Sequence, residues 1–120
     1  MKPWTIALII VTIIGALGYV YIRNQEPQLT SLPEGTVIYD VRTADEFATS
    51  RVTSALPLPL ADIRNGTMPD VPKDTSIAVY CESGRRSAEA VKLLKKAGYT
   101  NIIDMHGIAD TANYGLSIVR

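Results

Sequence analysis

The chain of 120 residues carries 12 Lys+Arg against 12 Asp+Glu, with one cysteine and one histidine. Setting aside Lys2 and Arg23, which flank an apolar stretch, leaves 10 cationic side chains against the same 12 carboxylates. No basic stripe is offered to nucleic acid and no acidic tail to a partner. A lone thiol excludes an intramolecular disulfide and a multi-cysteine zinc site, and His106 alone forms no histidine cluster. Neither a metal nor a cofactor is expected.

In chain order, residues 3–22 (PWTIALIIVTIIGALGYVYI) carry no charge. As a helix they reach about 30 Å, the thickness of a bilayer core. Trp4 at one end and Tyr19 and Tyr21 at the other suit the interfacial aromatic belt. Two readings stand: an uncleaved membrane anchor, and a signal peptide cut near Ala16-Leu17-Gly18. The anchor is preferred, because the apolar run continues from Tyr19 to Ile22, past that site, whereas a signal peptide's apolar region spans about 7–15 residues. The positive amino terminus beside Lys2 favours an inside amino terminus. The segment NQEPQLTSLPEG, with Pro27, Pro33 and Gly35, reads as a tether. The organisation expected is an anchor over 1–23, a tether over 24–35 and a globular domain over 36–120.

Residues 36–42 (TVIYDVR) predict a strand, and Thr43 with Glu46 forms a capping-box pattern that starts a short helix. SALPLPLADIRNG predicts a short extended piece and one helical turn ending near Gly66; Pro69 and Pro72 mark a loop. Residues 75–80 (TSIAVY) are continuously apolar or β-branched, which suits a strand buried on both faces. SAEAVKLLKKAG predicts a helix starting near Arg86 or Ser87, with Ala88, Val91 and Leu94 inward, flanked by Ala90, Leu93 and Ala97, and with Gly98 just past its end. TNIIDM predicts a third strand, and the tail from His106 predicts a short helix and a loose end. Alternating strands and helices imply an α/β class, a parallel sheet flanked by helices.

Cys81 therefore falls at the carboxyl end of a parallel strand, where open α/β sheets hold ligands. The N–H groups of the following loop and first helical turn lack helical partners and point at whatever lies there. Gly84 lets the loop curl, and Arg85 and Arg86 add positive charge. All of this favours thiolate over thiol, which makes Cys81 a candidate nucleophile, the alternative being a small buried hydrophobe.

CESGRRS resembles the active-site loop of rhodanese-type sulfurtransferases, with Cys81, Gly84, Arg86 and Ser87 in matching places. DVRTADEF is similar to the family's strand-end motif through Asp40, Val41, Arg42, Glu46 and Phe47, and AGYTNI to the segment before its last strand. The likeness spans roughly residues 36–110 and is closest to small single-domain rhodaneses of the bacterial envelope, of the phage-shock type. It implies the rhodanese-like α/β fold and, with the anchor, a single-pass protein of the bacterial inner membrane whose C-terminal domain is periplasmic. It also implies that the Cys81 thiolate takes the outer sulfur of thiosulfate or a similar sulfane donor, and passes it from a persulfide to a thiol or cyanide acceptor. The cradle would be Glu82, Ser83, Gly84, Arg85, Arg86 and Ser87. Within it Arg86 and the loop amides would stabilise the persulfide, Arg85 would draw in the donor and Glu82 would oppose slightly.

This chain departs from the family where Arg51 replaces a histidine, Ser54 a glycine and Pro57 an asparagine; MHG replaces Gly-Gly before the last helix, and the tryptophan common after it is absent. Asp40 and Arg42 are expected to support the loop from behind, with Asp40 pairing with Arg86 to fix it, the alternative being a purely structural ion pair or cap. Glu46 is read as a cap and His106 as a loop residue without catalytic duty. Cysteine-dependent phosphatases separate their Cys and Arg by five residues; the four between Cys81 and Arg86 suit a smaller reacting group, a terminal sulfur. A non-catalytic binding module is the other alternative, against which the retained cysteine speaks.

Overall fold

The computed structural model describes residues 2–23 and 31–120. Residues 24–30 of the expected tether lie outside the described residues. Helix α1, Pro3–Arg23, has no buried residue, and its apolar window averages a mean hydropathy of 2.3.

The globular part is built on a parallel sheet in the order β3-β1-β4-β5. Its strands are β1 (Val37–Asp40), β3 (Leu56–Pro57), β4 (Ile77–Cys81) and β5 (Ile102–Gly107). The helices are α2 (Ala44–Thr49), α3 (Leu60–Arg64) and α4 (Arg85–Lys96). The Thr43 capping box is formed as its spacing predicts, with the side chain accepting from the Glu46 N–H. Central β4 is fully buried, as its apolar run requires. Its side chains alternate: Ile77, Val79 and Cys81 join one core with Leu60, Ile63, Ala90 and Leu94, while Ala78 and Tyr80 join a second core with Val52 and Met105. This parity puts the Cys81 side chain on the face that α3 and α4 cover.

Two expectations are corrected. The tail is no loose end: after a 3₁₀ segment, Ile108–Tyr114, strand β6 (Ile118–Val119) pairs antiparallel with β2 (Arg51–Val52). Two-residue strands carry no periodicity to read, so only the pairing reveals them. In α4 the inward stripe is Ser87, Ala90 and Leu94, and Ala88 is exposed. The stripe turns because Ser87, a polar residue that periodicity discounts, is buried beside the cysteine loop.

The departures from the family pattern have local explanations. Ser54 adopts φ 70° and His106 φ 66°, so both occupy left-handed conformations, which favour glycine. Arg51 lies over the Phe47 ring, 5.1 Å from its centroid. Pro57 falls on edge strand β3, where a missing N–H costs least.

A buried polar hub ties the sheet to β2. The Tyr80 hydroxyl donates to Asp40 Oδ2 at 2.8 Å and accepts from the Val52 N–H at 3.0 Å. Arg42 caps the hub with Nη2 2.8 Å from Asp40 Oδ2. Burial pushes the Tyr80 phenol up, so it stays protonated and serves as the donor. Tyr80→Phe is expected to lower stability by about 1–3 kcal/mol, since it strips a bond from both Asp40 and the Val52 amide. Urea unfolding checks this; an unchanged midpoint at equal slope would show that the hub does not depend on the hydroxyl.

Candidate functional site

The loop 82–84 leaves β4 and enters α4 through Gly84, whose φ of 97° is left-handed. Two constraints fold it tightly. A Cβ on Gly84 would sit 3.3 Å from the His106 Cβ, and one on Gly107 would meet the Glu82 carbonyl at 2.7 Å. The second contact is too close for any side chain, so Gly107 is the floor on which the loop rests. His106 and Gly107 reach this place through a bulge: Val79 pairs with Asp104 and Cys81 with Gly107, so three residues of β5 advance against two of β4.

Curling the loop gathers donors on the sulfur. The Gly84 N–H lies 2.9 Å from Cys81 Sγ. Burial pushes the Cys81 thiol up, but bonds from the Ser87 N–H and hydroxyl and from the Gly84 and Ser83 amides outweigh it and hold the thiol below its usual value. The Ser87 hydroxyl also has the Gly84 carbonyl within reach at 3.0 Å and the His106 carbonyl at 3.4 Å.

The arginines find partners other than the one expected. Arg86 does not pair with Asp40. It binds Glu46 through both nitrogens, at 2.7 and 3.0 Å. Asp40 is held by Arg42 instead. Asp40 points inward beside Tyr80, so only the side chain two residues on can fold back over it, whereas Arg86, in the first turn of α4, faces the amino end of α2. Glu46 thus both caps α2 and clamps Arg86. The Arg86 bonds hold its carboxyl well down, at about 2, so the pair is ionic at any ordinary pH. Its family-motif position was the available signal for this role, but the capping box alone accounted for it.

Arg42 extends the hub to the loop, with Nη1 3.1 Å from Glu82 Oε2. Glu82, Ser83 and Arg85 are exposed, Gly84 and Arg86 half-buried, and Cys81 and Ser87 fully buried. The His106 side chain is two-thirds exposed and leans on Asp104, with Nδ1 3.7 Å from Oδ2. Among the described residues no group of three or more His, Cys, Asp or Glu is placed to hold a metal ion.

An acidic strand-end Asp40–Arg42 pair, an amide-lined cysteine loop and an Arg86 clamp on one parallel sheet make a recognisable combination. Residues 26–107 match the rhodanese-like domain family. The chain belongs to that family. The rhodanese-like chain is 38% identical over 89 residues to a sulfurtransferase of Allochromatium vinosum, covering 72% of this chain and 80% of that one. It is 32% identical over 74 residues to the thiosulfate sulfurtransferase PspE of Escherichia coli, covering 61% and 71%. Among solved structures, a rhodanese with anions from E. coli superposes with a TM-score of 0.63 at 28% identity, over 71% of this chain and 98% of that chain. These relatives support sulfur transfer of the rhodanese type.

Because the loop donors favour the thiolate, alkylation of Cys81 by iodoacetamide is expected to reach half its maximal rate below pH 9.0, the ordinary value for a thiol. Ser87→Ala, which removes the hydroxyl and keeps the amide, should move that midpoint upward. A midpoint at or above 9.0 in the unaltered chain would show that burial wins.

Proposed function

We propose that the chain is a sulfurtransferase that carries a sulfane sulfur on Cys81, with thiosulfate or a similar donor and a thiol or cyanide as acceptor. The observation that carries this reading is the convergence of loop amides on a thiol held below its ordinary value. In the first half-reaction the Cys81 thiolate attacks the outer sulfur of thiosulfate. The Sγ–S bond forms, the bond to the central sulfur breaks, and sulfite leaves with that electron pair. The persulfide anion then sits where the amides of Ser83, Gly84 and Ser87 point, so charge is met without reorganisation. Arg86 is a positioning residue in this scheme: clamped by Glu46, it stiffens the first turn of α4 that supplies the Ser87 donor. Asp40 and Arg42 act at greater distance, by anchoring Glu82 and with it the start of the loop.

Incubation with thiosulfate should add about 32 Da, one sulfur atom as a persulfide, to the intact chain. Cys81→Ser should abolish both the adduct and thiocyanate formation from cyanide. Turnover at the unaltered rate in Cys81→Ser would end the proposal.

We propose further that α1 is a single-pass anchor that holds the domain at a membrane, on the periplasmic face of a bacterial inner membrane. Its length, its charge-free interior and the lack of any buried residue along it support this. Intact-mass measurement of the chain extracted from membranes should give the full-length species. A chain beginning at Tyr19 in the soluble fraction would show that the segment is a cleaved signal.

A further inference from the structure

Beside the cysteine loop lies a cleft of about 290 Å³, bounded by α3, the end of β1 and the first turn of α4. Its wall includes Val41 and Ala61, together with Arg42, Arg64, Arg85 and Arg86. Arg85 and Arg86, which line the cleft, directly follow Gly84, whose N–H lies 2.9 Å from Cys81 Sγ, so the cleft borders the loop that holds the sulfur. Four arginines would suggest a polyanion site, but three are already neutralised. Arg42 is bound by Asp40 and Glu82, Arg86 by Glu46, and Arg64 by both oxygens of Glu89. Arg85 alone has no carboxylate partner among the described residues. The cleft therefore offers one uncompensated cation, an apolar floor and a volume at the small end of ligand pockets, about 300 Å³.

We infer that this cleft is the acceptor subsite, and that it takes a small aliphatic thiol bearing a single carboxylate. The inference rests on the sulfur-carrier reading above and names its second substrate by class. One cation matches a monoanion better than the thiosulfate dianion, whose reacting sulfur belongs among the loop amides. The carboxylate pairs with Arg85, the hydrocarbon stem lies along Val41 and Ala61, and the acceptor sulfur is turned toward Cys81. The acceptor thiol gives its proton to the outer sulfur of the Cys81 persulfide anion, and the thiolate so formed attacks that sulfur. A new S–S bond forms in the acceptor, the Sγ–S bond breaks, and its electron pair returns to Cys81 as thiolate. The product is the acceptor's persulfide, which retains the proton.

The test uses the full chain in detergent with two readouts. For turnover from thiosulfate, KM is compared for 3-mercaptopropionate and for neutral 2-mercaptoethanol. Arg85→Gln should raise the first by about fivefold relative to the second, the worth of one partly exposed charge contact. Ala61→Glu, which places a carboxylate on the opposite wall, should shift the ratio the same way; it keeps the test open where Arg85→Gln perturbs the loop. For binding, the non-reactive thioether 3-(methylthio)propionate should move the amide resonances of Ala61 and Arg85, and 3-(methylthio)propan-1-ol should not. Equal KM changes for both thiols in both variants would overturn the inference, as would a rise confined to the KM for thiosulfate. Sulfur loading of Cys81 without thioether binding in the cleft likewise counts against it alone. Thioether binding there in a chain that takes up no sulfur would overturn the acceptor role together with the sulfur-carrier reading, and leave only an anion cleft.

Discussion

A charged guanidinium buried to 3% exposure imposes conditions on everything around it. Taking such an ion out of water costs several kcal/mol unless each of its nitrogens finds an acceptor. Arg42 meets the condition by reaching three parts of the chain at once: the Asp40 carboxylate at the end of β1, the Ser50 carbonyl after α2, and Glu82 in the cysteine loop. Asp40 in turn accepts from Tyr80 on the neighbouring strand. Among the described residues no buried side-chain nitrogen or oxygen lacks a partner. The hub is therefore satisfied only when β1, β4, the turn into β2 and the cysteine loop are all in place, which couples the sheet edge to the site by obligation.

From that hub the site follows by parity. Tyr80 faces the hub, so Cys81, one residue on, must face the other side, toward α4. A shift of one residue would exchange the two and put a phenol under the helix terminus. The charge pattern at the rim is equally constrained. Glu46 and Arg86 bind each other between an open depression lined by Asp45, Glu46 and Glu82 and the cleft that holds Arg85.

The backbone around the loop accepts strain in two places. His106 and Ser54 hold positive φ without being glycine, and both stand where the family pattern has glycine. Such conformations cost on the order of 1 kcal/mol each. At His106 the bulge in β5 imposes the conformation, and its return is the close seat of Gly84 and Gly107 that curls the loop onto the sulfur.

Much of this was written in local sequence, for a physical reason in each case. A charge-free run long enough to span a bilayer, the Thr43 capping box, the apolar run of β4 and the Cys81 loop with its Gly84 are properties of neighbouring residues. Local backbone preference and burial suffice to place them. The ion-pair partners were decided elsewhere. Asp40 with Arg42 and Glu46 with Arg86 depend on which side chains face each other after the sheet is assembled, and Arg86 lies forty residues from the carboxylate it clamps. The pairing of β2 with β6 and the inward turn of Ser87 are of the same kind. Strands of two residues have no period, and a buried serine reads as polar until the cysteine it serves is packed against it. Sequence by itself determined that the lone thiol would sit at the end of a buried strand. The tertiary structure decided which charges surround it, because charge partners are chosen by the directions of side chains across the assembled sheet.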